Sequence, residues 1–61
     1  MQFKTTENLK SGKKYYYVDG KKVVKDIFDI KQIVCERAGM KYNSSRLETK
    51  GNFRYSYCSY D

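Results

Sequence analysis

A chain of 61 residues has room for one small domain, with too little buried surface to leave much surplus stability. It has no histidine and only two cysteines, Cys35 and Cys58, which excludes a Cys–His nucleophile and leaves a four-ligand structural zinc site short of donors. Thirteen Lys plus Arg against seven Asp plus Glu give a net charge of +6, which suits a nucleic-acid or acidic partner.

In chain order, Met1 leads into a polar run to Lys14 with no apolar leader, so the sequence predicts an unsecreted, cytoplasmic chain with free thiols and no membrane association. A first strand is expected at about residues 2–6, followed by a polar loop from Glu7 to Gly12. Tyr15-Tyr16-Tyr17-Val18 forms a second strand, about 14–18, and Asp19-Gly20 is a tight-turn signal after which Lys21 to Val24 pairs back briefly.

A helix is predicted from about 27 to 38. Asp26 is placed as its N-cap, Asp29 as the acid of a capping box, and Gly39-Met40 as a Schellman ending. Ile27, Ile30 and Val34 make one apolar stripe, with Ile33 at its margin; Val24, Phe28 and Cys35 make another, and Lys31 projects between them. Either Lys31 lies along the edge of one buried face, or one stripe meets the sheet and the other a partner.

A terminal hairpin follows, with strands at about 45–49 and 53–58. A three-residue loop, Lys50-Gly51-Asn52, separates apolar from charged side chains cleanly. It pairs Thr49 with Phe53, Leu47 with Tyr55 and Ser45 with Tyr57, sets Glu48 against Arg54, and gives Asn52 the left-handed conformation. A two-residue Gly-Asn turn would instead set Lys50, Glu48 and Arg46 among the aromatics. In the three-residue register Arg54, Ser56, Cys58 and Tyr60 occupy the outer face, and a bond from Cys58 to Cys35 is not expected. The apolar terminus is expected to dock as an edge strand or on another chain.

The predicted fold is α+β: a small antiparallel sheet packed against one helix in two layers, close to ββαββ. No catalytic, metal or cofactor site emerges, since Asp26 and Asp29 are explained by capping and the glycines are dispersed. Function is therefore expected to lie in contact. The first expectation is a non-catalytic factor, of the kind carried by an AT-rich phage or mobile element, that inhibits or redirects a host protein or defence complex. Its binding residues would be Tyr15, Tyr16, Tyr17, Arg46, Arg54 and Tyr60. The second is a nucleic-acid-binding module using Lys13, Lys14, Lys21 and Lys22 on phosphates and tyrosines on bases. Homodimerisation through a free helix stripe or an edge strand is compatible with either. The bland reading of the charge is codon bias, because Arg occurs only three times.

Overall fold

The computed structural model describes the backbone of residues 1–61 and every side chain except that of Ser45. Strands β1 (Gln2–Asn8), β2 (Lys14–Val18) and β3 (Lys21–Val23) precede helix α1 (Lys25–Arg37), and β4 (Tyr42–Lys50) and β5 (Phe53–Tyr60) follow it. The five strands form one antiparallel sheet in the order β3-β2-β1-β5-β4. The first strand thus sits at the centre, and the last lies inside the sheet rather than at its edge. The terminus is nonetheless held. The Met1 amino group donates to the Tyr60 carbonyl at 2.7 Å, and the Tyr60 N–H donates back to the Met1 carbonyl at 2.9 Å.

Local chemistry sets several junctions. Asp19 and Gly20 take φ of 50° and 82°, the left-handed pair that lets a two-residue turn follow the twist of β2 and β3. Between β1 and β2 the Asn8 side chain accepts hydrogen bonds from the N–H groups of Lys10 and Ser11. At the end of α1 the Met40 N–H donates to the Cys35 carbonyl and the Gly39 N–H to the Glu36 carbonyl, with Gly39 at φ 76°. This is the expected Schellman ending. The start differs from expectation. The N-cap is Val24, with no side-chain bond, and Asp26 lies in the first turn, where its charge faces the positive end of the helix. Asp29 accepts from Lys25 at 2.8 Å instead of closing a capping box, because the helix begins two residues earlier than predicted.

One face of the sheet meets α1. Phe3, Val18 and Tyr60 of the sheet close on Phe28 and Cys35 of the helix, and Tyr16, Val23, Met40 and Cys58 flank them. Phe3 stands edge-on to the rings of Phe28 and Tyr60, at 5.4 and 5.6 Å between centroids. The helix therefore presents the Phe28/Cys35 stripe to the sheet and turns the Ile27/Ile30/Val34 stripe outward. Lys31 is half-buried, and Val24 is exposed. A 13-residue helix is about 20 Å long, whereas the molecule extends 37 Å, so the β4–β5 hairpin runs on past it and leaves Leu47 exposed.

Tyr60 shows what this small core does to a polar group. Its ring is buried, and its hydroxyl donates to the Glu36 carboxylate at 2.9 Å. Burial first, and the Glu36 bond second, push the hydroxyl up to about 12. A raised value means that the folded state favours the neutral phenol. This contribution is complete below the ordinary tyrosine value near 10 and is lost as pH climbs towards about 12. Tyr60→Phe, which removes the bond to Glu36, is expected to lower the urea midpoint at neutral pH. Urea titrations of the two proteins should then converge at strongly alkaline pH, and a constant gap would disprove the assignment.

Candidate functional site

The second face of the sheet has no helix on it. The structure contains the two-residue turn: Gly51 takes φ 61°, Asn52 stays out of the left-handed region, and Lys50 pairs with Phe53. Glu48 pairs with Tyr55, and Arg46, not Ser45, lies opposite Tyr57. The Ser45 side chain lies outside the described residues. The three-residue register is thereby corrected, and so is the face it assigned. Phe53, Tyr55 and Tyr57 point away from α1, while Arg54, Ser56, Cys58 and Tyr60 lie on the helix side. The expected Glu48–Arg54 pair is replaced by Arg54–Glu7 at 3.7 Å and Arg46–Glu48 at 3.9 Å. Segregating apolar from charged was the wrong criterion, because this face is open and tolerates both.

Cross-strand register builds a row on the open face. From β3 to β4 it reads Lys22, Tyr17, Lys4, Tyr57, Arg46, alternating cation and ring across all five strands. With neighbouring strands about 4.8 Å apart, the row is about 19 Å long and its two rings lie about 10 Å apart. The irregularity between Ser44 and Arg46 completes it. An extra residue in β4 brings Arg46 to the open face, where its guanidinium lies 4.8 Å from the Tyr57 ring. The Lys4 ammonium stands 5.4, 5.3 and 5.8 Å from the rings of Tyr17, Tyr55 and Tyr57. Lys22 lies 4.7 Å from the ring of Tyr15.

A second row runs Tyr15, Thr6, Tyr55, Glu48, and its rings cover Thr6 so well that it is the one buried polar residue among those described. Phe53 stacks beside Tyr55 at 6.4 Å, with Lys50 across from it. Tyr17 and Tyr57 also border a concavity of about 430 Å³, with Lys4, Gln2 and Ser59 along it.

The sequence-predicted residues divide between the faces. Tyr15, Tyr17, Arg46 and Lys22 come together on the open face. Tyr16 packs on Phe28 at 5.0 Å between ring centroids and Tyr60 is in the core, so neither joins them. Arg54 and Lys14 lie on the opposite face beside Glu7, Lys21 is paired with Val18, and Lys13 is in the loop before β2. Lys4, Tyr55, Tyr57 and Phe53 were missed: the first is an isolated lysine in a plain strand, and the others were assigned to the core.

Elsewhere little reactive chemistry is assembled. Burial raises the Cys58 thiol, which disfavours its thiolate, and Cys35 is fully buried. Both cysteines are free. Among the described residues no cluster of three or more His, Cys, Asp or Glu could hold a metal ion, and no helix is long and apolar enough to cross a membrane. No family model matches the chain, and neither a curated protein nor a solved structure is matched by it.

Proposed function

We propose that the protein acts by contact alone and binds single-stranded nucleic acid on the open face of its sheet. The observation that carries this reading is the Lys22–Tyr17–Lys4–Tyr57–Arg46 row. Single-stranded nucleic acid alternates flat π-faces with negative charges at short spacing, and stacking on tyrosine needs bases that are not already stacked in a duplex. Rings with a cation on either side meet both demands. A platform about 19 Å wide accommodates roughly four nucleotides, the low end of the site sizes of single-strand-binding domains.

The other reading, inhibition of a host protein or defence complex by a mobile-element factor, relied on Tyr15, Tyr16, Tyr17, Arg46, Arg54 and Tyr60. These residues do not share a surface, and the three that do, Tyr15, Tyr17 and Arg46, belong to the row or its margin.

The test is a fluorescence-polarisation titration of a labelled mixed-sequence single strand, as DNA and as RNA, against a duplex of equal length. Lys4, Lys22, Arg46 and Lys50 supply about four phosphate contacts. The logarithm of affinity should therefore fall with the logarithm of salt at a slope near −3, roughly fifty-fold between about 50 and 200 mM. The duplex should bind more weakly. No binding at low salt, or equal affinity for single and double strands, would overturn the reading.

A further inference from the structure

The nucleic-acid reading leaves the outward side of α1 unexplained. Ile27, Ile30, Ile33 and Val34 are 41, 54, 47 and 58% exposed, four branched aliphatics on the solvent side of one short helix. At 100° per residue they share a single face, and that face has Asp26 at its N-terminal end and Arg37 at its C-terminal end. Both charged residues are exposed, and neither forms an ion pair among the described residues.

We infer that this face pairs with a second copy of the chain, helix against helix and antiparallel. The order acid, aliphatics, base is complementary to itself when reversed. A two-fold axis midway between Lys31 and Gln32 sets Asp26 against the partner's Arg37 and Ile30 against the partner's Ile33 at one and the same register. Nothing in the fold requires the charge pair and the aliphatic pair to share a midpoint.

Charge also selects this occupant. The helix carries three cations (Lys25, Lys31, Arg37) and three carboxylates (Asp26, Asp29, Glu36), so it is the neutral element of a chain with net charge +6. An acidic partner has nothing to gain there, whereas a second neutral helix is not repelled. Two carboxylates beside the face are already engaged, Asp29 by Lys25 and Glu36 by the Tyr60 hydroxyl. The contact is a single helix against a single helix at the usual distance of about 8–10 Å between axes, so the dimer is a reversible one. It would place two open sheet faces on opposite outer sides.

Sedimentation velocity across a concentration series tests this. The wild type should move from monomer to dimer. Ile30→Lys, on an exposed position, should remain monomeric with an unchanged circular dichroism spectrum. Asp26→Lys and Arg37→Glu should each associate about tenfold more weakly or worse, because like charges then meet twice per dimer. An equimolar mixture of these two variants restores both pairs and should form a heterodimer about as tight as the wild type. A wild type that stays monomeric throughout, leaving the face to some other partner, overturns the inference. So does a mixture no tighter than its components, which rejects the antiparallel register. Neither result bears on nucleic-acid binding by the opposite face.

Discussion

Phe3→Ala should abolish the folded state. Phe3 is 1% exposed, stands in the central strand, and meets the rings of both Phe28 and Tyr60. Among the described residues five hydrophobic side chains are buried and they form one cluster, so no second cluster carries the load. Removing a buried phenylalanine side chain typically costs about 3–5 kcal/mol. A chain of 61 residues has roughly 3–9 kcal/mol in total, at about 0.05–0.15 kcal/mol per residue. The loss therefore takes from about a third to all of that total, and a chain this short with so small a core sits at the low end, where nothing is left. Urea titration followed by circular dichroism should show a cooperative transition for the wild type and none for Phe3→Ala. Phe3→Leu, which keeps most of the volume, should retain a transition at a lower midpoint. If Phe3→Ala unfolds at the wild-type midpoint, the core lies elsewhere and the register of β1 is wrong.

Elements decided by neighbours in sequence were legible, and those decided by the far side of the molecule were not. The Asp19-Gly20 turn and the Gly39-Met40 helix ending follow from backbone constraints within a few residues, and both form as read. The helix stripes were recognised, but which of them turns inward depends on Phe3, Val18 and Tyr60, supplied by three different strands. The hairpin failed for the same reason. Sorting rings from charges presumes that rings go inside, whereas α1 covers one face only and the rings of Tyr55 and Tyr57 lie on the other. Lys4 was the least visible residue of all. Its importance comes from Tyr17 on one neighbouring strand and Tyr57 on the other, which converge only because the first strand inserts between the second and the last.

That central position makes Lys4 and its two flanking rings the decisive test of the open face. Tyr57→Leu and Tyr17→Leu keep apolar cover over the sheet and remove the π-face. Each is expected to weaken single-strand binding by about 1–3 kcal/mol, roughly five- to 150-fold, with little change in salt slope because no charge is lost. Lys4→Gln should behave in the opposite way, with a modest loss at low salt and a slope shallower by about one, because one phosphate contact disappears. Leu47→Ala, on the other face of the sheet, should change neither quantity. The contrast separates this site from general attraction to a basic protein. If the chain bound polyanions only through its net charge of +6, the two leucine variants would match the wild type, and any lysine would serve as well as Lys4. Binding that depends on the rings in affinity and on Lys4 in slope requires both within one footprint, and the alternating row is what brings them together.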